Sequence, residues 1–169
     1  QFSKPHATNI KEQSIQGCIQ RVIHLMGPRA VLLGHQLYFD DCINTSYVMM
    51  DKDKIVQVLL NIVQNSLEAM DISGVVYISL YELNNYALIE IIDTGTGILE
   101  SEVEEIFTPF YTTKENGIGL GLSICQKVIQ DHGGVMEVIS SSNLGTTFCI
   151  SLPLANIPMN QEKTVLKLE

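Results

Sequence analysis

The stretch from Asp51 to Met70, DKDKIVQVLLNIVQNSLEAM, constrains the fold more than any other. It opens on an acidic, helix-starting segment and continues for about five turns without Gly or Pro. At roughly 100° per residue, Lys54, Gln57, Asn61, Gln64, Asn65 and Glu68 fall within about a third of the circumference. From Ile55 onward the other positions are apolar or small. The helix is therefore predicted to be buried on most sides, with one narrow polar strip. A solvated face normally mixes Lys and Glu, whereas here Gln57, Asn61 and Asn65 stack four apart along one line. Neutral amides in a row suit a hydrated cation or a phosphate. They also suit an ordinary amphipathic face that meets water, and both readings stand at this point.

A helix buried on most sides needs a core. The 169 residues are 46% hydrophobic and 17% charged, enough for one globular domain. The net charge of -9, with scattered Lys and Arg, argues against a nucleic-acid groove or an anionic membrane face. It does not argue against a nucleotide, because Mg²⁺ and backbone donors can hold phosphates on an acidic protein. Cys18, Cys42, Cys125 and Cys149 lie far apart with no metal spacing and read as small core residues in a reducing compartment. No apolar run reaches the length of a membrane span and no signal peptide opens the chain. The chain starts without Met, so it is expected to be a cytoplasmic fragment of a parent that could itself be membrane-anchored.

Residues 1–11 are polar and read as a connector, residues 12–153 as the domain, and residues 154–169 as a disordered polar tail. Ser14 to Gly34 carries a helical pattern that Gly27-Pro28 either notches or splits. Gln36–Asp40 and Ser46–Met50 read as a pair of strands around Asn44. Val75–Glu82 and Tyr86–Ile92 alternate around Asn84-Asn85 and predict a hairpin. Glu100–Phe107 is a predicted short helix and Thr108–Gly117 a loop. Leu120–Asp131 is a second periodic helix, stopped by His132-Gly133-Gly134. Val135–Ser140 and Thr146–Leu152 predict a second hairpin. Strands do not alternate singly with helices, which argues against a doubly wound parallel sheet. The pattern predicts an α/β fold, a two-layer α/β sandwich whose mixed, mostly antiparallel sheet carries helices on one face.

Three stretches carry chemistry. Asp93-Thr-Gly-Thr-Gly-Ile98 follows a strand, so it sets a carboxylate at the sheet edge with backbone close by. That carboxylate could accept from an exocyclic amine such as adenine's, or simply bond its own turn. Gly117-Ile-Gly-Leu-Gly-Leu122 leads into a helix, which suits either an anion cradle of bare amides or a flexible hinge. It follows a loop rather than a strand, so it is no dinucleotide fingerprint, and no Gly-Lys-Ser/Thr makes it a P-loop. Lys114, three residues upstream, is the basic side chain placed to join it. Asn143-Leu-Gly-Thr-Thr-Phe148 reads as a hairpin turn.

The order of these pieces is specific: amide row, Asp-x-Gly-x-Gly, Phe-bearing loop with Thr-Thr-Lys, Gly-x-Gly-x-Gly, then Gly-Thr-Thr-Phe. It resembles the ATP-binding catalytic domain of sensor histidine kinases, in the clan shared with gyrase, Hsp90 and MutL. NIVQN looks like that family's N box, DTGTGI like its first glycine box, and FTPFYTTKENGIGLGLSICQKVIQDHGG like its F and second glycine boxes. FSKP near the start resembles the end of a dimerisation helix in kinases of the sporulation and nitrogen-regulator type, closest to the sporulation kinases of bacilli.

The resemblance implies a Bergerat-type fold, ATP and Mg²⁺ as cofactors, and phosphoryl transfer within a two-component phosphorelay. By position it implies that Asn65 coordinates Mg²⁺, that Asn61 lies near the phosphates and that Asp93 holds the adenine amino group. Gly95, Gly97 and Ile98 would wall the base. Lys114 would approach the terminal phosphate from a mobile lid that spans Gly117, and the amides of Gly119, Leu120 and Gly121 would cap that phosphate. Thr147, or else Thr146, would reach adenine through water. The implied partners are the parent's own dimerisation and phosphoacceptor domain and a response regulator. The full-length protein would be a homodimer, this fragment a monomer, and no nucleic acid is expected.

Two departures stand out. Gyrase-type ATPases carry a general-base Glu where this chain has Asn61, and an amide cannot take a proton from water. Many histidine kinases carry Lys or Arg where this chain has Glu68. The four histidines are followed by Ala7, Leu25, Gln36 and Gly133, not by the Glu or Asp that follows a family acceptor. The acceptor is thus expected to lie outside this chain. Two alternatives remain: a serine kinase of the anti-sigma-factor type, and a non-catalytic nucleotide-sensing module.

Overall fold

The computed structural model describes residues 9–41, 46–114, 117–139 and 144–156. The chain runs β1 (Lys11–Ser14), α1 (Ile15–Leu32), β2 (Gln36–Asp41), β3 (Tyr47–Met50), α2 (Lys52–Glu68), β4 (Val75–Leu83) and β5 (Tyr86–Asp93). Two single-turn 3-10 segments, Glu100–Glu102 and Glu105–Phe107, precede α3 (Gly121–Asp131), β6 (Val135–Val138) and β7 (Thr146–Pro153). The main sheet has the order β2-β4-β5-β7-β6. β2 runs parallel to β4, and every other neighbouring pair in that sheet is antiparallel. The helices cover one face, giving the expected two-layer α/β sandwich.

The pleat explains how the layers meet. Successive side chains in a strand point to opposite faces, and β4 buries Val76, Ile78 and Leu80 while Tyr77 stays exposed. Across the register these residues meet Asp93, Ile91 and Ile89 of β5, which in turn face Thr146, Phe148 and Ile150 of β7. Asp93 therefore continues the row of Ile89 and Ile91. It is a carboxylate placed where a core side chain belongs, and only 2% of it is exposed.

α2 lies over this row. Asp51 caps it, accepting from the Lys54 N–H at 3.3 Å. Ile55, Leu59, Ile62, Val63 and Leu67 are buried to 1% exposure or less, each contributing roughly 1.5–3 kcal/mol of burial. A histidine ties α2 to α3. The Asp51 N–H donates to His132 Nε2 at 3.0 Å, and His132 Nδ1 lies 2.7 Å from the Val128 carbonyl. Nε2 accepts, so the proton sits on Nδ1 and donates to Val128. His132→Ala is expected to cost about 1–3 kcal/mol, because the Asp51 N–H loses its acceptor. Urea unfolding monitored by circular dichroism checks this, and an unchanged midpoint would remove the tie.

Several expectations need correction. β2 and β3 are strands but not a pair: β2 extends the main sheet beside β4, while β3 pairs antiparallel with β1 in a separate two-stranded sheet. Leu37 and Phe39 of β2 pack against the core, so β2 must join the sheet that the helices cover. β1 falls partly within the polar segment read as a connector, and its burial is at most partial, so no apolar alternation marks it. α1 runs unbroken through Pro28. Glu100–Phe107 forms two 3-10 turns in place of one helix. Leu154 still bridges to Val48, whereas most of the tail, with residues 1–8, lies outside the described residues.

The described cysteines, Cys18, Cys125 and Cys149, are buried and unbridged. Burial pushes the Cys18 and Cys149 thiols up to about 11 and the Cys125 thiol to about 12, so they stay protonated at neutral pH. No helix among the described residues is long and apolar enough to cross a membrane.

Candidate functional site

One end of the site is built around Asp93. Its Oδ1 accepts from the Gly95 N–H at 2.9 Å and from the Thr146 N–H at 3.2 Å. Burial raises its pKa above the ordinary 3.8, and the bonds from the Gly95 and Thr146 N–H groups offset only part of that rise. The Ser66 hydroxyl is buried beside this carboxyl, in contact but without a hydrogen bond of good geometry. Glycine is required on both sides. A Cβ at Gly145, where φ is +103°, would collide with the Asp93 carbonyl oxygen, and one at Gly95 would lie 2.7 Å from the Ala69 carbonyl oxygen. The turn after β5 thus sits directly on the C-terminus of α2, fastened by Thr96 N–H to Ala69 O at 3.2 Å. Gly97 at φ +76° reverses the chain, and Ile98 packs against the core edge.

The pleat separates the two threonines. Thr146 pairs with Asp93 and is 4% exposed, while Thr147 pairs with Ile92 and so points to the opposite face. Thr146, not Thr147, shares a face with Asp93.

The other end gathers along the polar strip of α2. Asn65 Nδ2 donates to Asn61 Oδ1 at 3.2 Å, one helical turn away. That bond turns the Asn65 carbonyl oxygen outward, where it accepts from Lys114 Nζ at 3.0 Å. Lys114 reaches across 49 residues of sequence to do so, and also lies 2.6 Å from Glu68 Oε2. Glu68 Oε1 in turn accepts from Gln64 Nε2 at 2.9 Å and pairs with Arg29 of α1 at 3.3 Å. Partial burial raises the Glu68 pKa, but the bonds from Lys114 and Gln64 outweigh it and hold the carboxyl below its ordinary value.

α3 begins against the same strip. A Cβ at Gly121 would meet Asn61 Nδ2 at 2.8 Å, so glycine lets the helix start touch the amide row. No side chain caps this helix: Leu120 at its N-cap position makes no side-chain bond. Its first amides are therefore unclaimed by a capping side chain, as an anion cradle requires. Gly119 at φ +73° accepts at its carbonyl from the Phe110 N–H at 2.8 Å, and Phe110 itself has φ +70°. Gly117 closes a turn on the Lys114 carbonyl at 3.1 Å, and Lys114 N–H donates to Thr112 Oγ1 at 3.1 Å. The predicted site residues thus fall into two groups about the C-terminal half of α2: Asp93, Gly95 and Thr146 on its sheet side, Asn61, Asn65, Lys114 and Gly121 along its polar strip.

The donor set tolerates a cation, since an ammonium already sits on the Asn65 oxygen. Among the described residues no three His, Cys, Asp or Glu side chains gather as a metal site. A hard cation held here would need further oxygens from a bound phosphate. Sequence reading missed Arg29 and Ser66 and the pairing role of Glu68. Ser66 left a faint signal, a hydroxyl within an otherwise apolar row. Arg29, 39 residues before Glu68, left none.

The sequence matches the family described as histidine kinase-, DNA gyrase B-, and HSP90-like ATPase over residues 50–156. It is similar to Sporulation kinase C of Bacillus subtilis (strain 168), 32% identical over 158 residues, with 90% of this chain and 36% of the relative covered. Sensor histidine kinase ZraS of Escherichia coli (strain K12) is 31% identical over 151 residues, covering 89% of this chain and 32% of the relative. The chain therefore spans about a third of either relative's length. A nucleotide-free catalytic domain of histidine kinase ThkA matches with a TM-score of 0.79 at 33% identity, over 86% of this chain and 95% of that one. ThkA in complex with the response regulator protein TrrA matches with a TM-score of 0.77 at 31% identity, over 90% of this chain and 44% of that one.

Proposed function

We propose, for a chain that belongs to the histidine kinase-, DNA gyrase B-, and HSP90-like ATPase family, that it binds Mg²⁺–ATP and transfers the γ-phosphoryl to a histidine. That histidine would lie on the dimerisation domain of a two-component sensor kinase. The observation that carries the reading is the convergence of the Asn65 oxygen, the Lys114 ammonium and the uncapped start of α3 on the polar strip of α2, with buried Asp93 close to the C-terminal end of the same helix.

In this reading Asp93 accepts from the adenine amine, with Ser66 and Thr146 beside it, while Gly95, Gly97 and Ile98 border the base. The α3 amides from Gly119 to Gly121 and the Lys114 ammonium take up charge on the terminal phosphate. Mg²⁺, held by Asn65 and the phosphates, would neutralise the oxyanions and steady the ADP that leaves. The acceptor imidazole attacks the γ-phosphorus with a nitrogen lone pair as the bond to the β-bridging oxygen breaks. The ring's other nitrogen then gives up its proton to solvent water.

A neutral imidazole needs no base to become a nucleophile, whereas water or a serine hydroxyl does. Asn61 is no base, and Glu68 is a weakened one because Lys114 and Gln64 stabilise its ionised form. This favours a histidine acceptor over the serine-kinase alternative and over rapid hydrolysis. Among the chain's own histidines, His35 and His132 are buried in structural hydrogen bonds. The working partners would be the parent's dimerisation domain, in a homodimer, and a response regulator, all on the cytoplasmic side.

The test uses ATP labelled at the γ-phosphate. The chain alone is expected to bind it and acquire no label, while an acceptor domain added in trans becomes labelled in an acid-labile form. Label on the isolated chain, or no nucleotide binding, would refute the proposal.

A further inference from the structure

Glu68 stands where many relatives are expected to carry a phosphate-binding cation, yet it is neither idle nor simply solvated. Both of its oxygens are engaged: Oε2 with Lys114 Nζ at 2.6 Å, Oε1 with Gln64 Nε2 at 2.9 Å and Arg29 Nη2 at 3.3 Å. α1, α2 and the loop before α3 thus meet on one carboxylate. The same ammonium sits 3.0 Å from the Asn65 amide oxygen, whose outward orientation is set by Asn61.

We propose that Glu68 is the positioning residue for Lys114, stationing its ammonium on the Asn65 oxygen so that the lysine occupies the cation position until metal and nucleotide displace it. The inference rests on the reading of Asn65 as the metal ligand. Two cations cannot share that one oxygen, because like charges in contact distance repel even at this partly exposed site. Binding of the metal–nucleotide therefore requires Lys114 to leave Asn65. Glu68 keeps it within reach, tethered by its other contact, from where it swings to the terminal phosphate. The stationed form is a closed state that does not bind, and its population subtracts from the observed affinity. Arg29 and Gln64 hold the Glu68 carboxylate in place, so that the release of one contact by Lys114 does not free the carboxylate itself. What Lys or Arg would do by touching phosphate directly, Glu68 does by delivering a lysine from the loop.

The test is a double-mutant cycle on Mg²⁺–ATP binding, followed by calorimetric titration, with wild type, Glu68→Gln, Lys114→Ala and the double variant. Glu68→Gln keeps the side-chain shape and removes the charge. It is expected to tighten Mg²⁺–ATP by about 2–5-fold, the factor that a partly exposed ion pair is worth. In the Lys114→Ala background the same change should have little further effect, because its lever is gone. With an acceptor domain supplied in trans, Glu68→Gln should lower the transfer rate at saturating ATP while lowering KM, a split that mere structural support does not produce. Thermal midpoints of the four proteins check that each is folded. If Glu68→Gln acts equally with and without Lys114, the carboxylate repels phosphate directly and the proposal falls. If Glu68→Gln changes neither affinity nor rate, it falls as well. If the wild-type chain binds no Mg²⁺–ATP, the functional reading fails first, so the two failures are distinguishable.

Discussion

Asp93→Asn is expected to weaken ATP binding about 5–150-fold, the equivalent of roughly 1–3 kcal/mol, while the protein stays folded. The reason lies in which oxygen does what. Both backbone donors, Gly95 and Thr146, land on Oδ1, and an asparagine can keep its own Oδ1 in that position. The amide nitrogen then replaces Oδ2, and a donor meets the adenine amine, which is also a donor. Two buried donors face each other with no acceptor between them. Fluorescence or calorimetric titration reads the loss, and GTP, whose ring carries a carbonyl oxygen at that position, should lose less or gain. Equal affinity for ATP in wild type and variant would refute the adenine role.

The same carboxyl gives a pH dependence. Burial raises its pKa above 3.8, so protonation on acidification begins at a higher pH than for a free aspartate. ATP affinity should therefore fall as pH drops through that raised value. Stability behaves oppositely for this group: ionised Asp93 costs the fold free energy above its ordinary pKa, and the cost is relieved as pH falls through the raised one. Binding should weaken before the protein unfolds.

Asn65→Ala is expected to remove the Mg²⁺-dependent part of ATP affinity, by on the order of 100-fold or more, since even partners one shell further out are worth 10–100-fold. The alanine loses the metal's protein oxygen, and Lys114 loses one of its two acceptors while keeping Glu68 at 2.6 Å. Binding measured in EDTA should change far less than binding in Mg²⁺. Calorimetric titration with and without the metal separates the two, and an equal loss under both conditions would place Asn65 on the nucleotide rather than the metal.

Much of the fold was legible because it rests on local periodicity. The α2 and α3 patterns and the β4–β5 hairpin, with Asn84 and Asn85 at φ +50° and +69°, are written in consecutive residues. The glycine positions were legible for the same reason, since close approach or positive φ admits little else at Gly95, Gly119 and Gly145. What failed was pairing. β2 and β3 are neighbours in sequence, yet they join different sheets, and β1 lacks the apolar alternation that would announce a strand. Short strands do not encode their partners; the edge left open by the rest of the sheet chooses them.

The site divides along the same line. By itself the sequence determined the cast: an amide row on a helix, an Asp before a glycine turn, a lysine before a glycine-rich helix start, and their order along the chain. Only the tertiary structure decided who meets whom. It put Thr146, and not Thr147, on the face of Asp93, because the pleat gives alternate residues to opposite faces, and it put Ser66 beside Asp93, because α2 crosses the end of β5. It also turned Glu68 from a missing phosphate contact into the carboxylate that joins Arg29 and Lys114. Those three charges are 39 and 46 residues apart along the chain. No local pattern can specify a contact that exists only after two helices and a loop have packed.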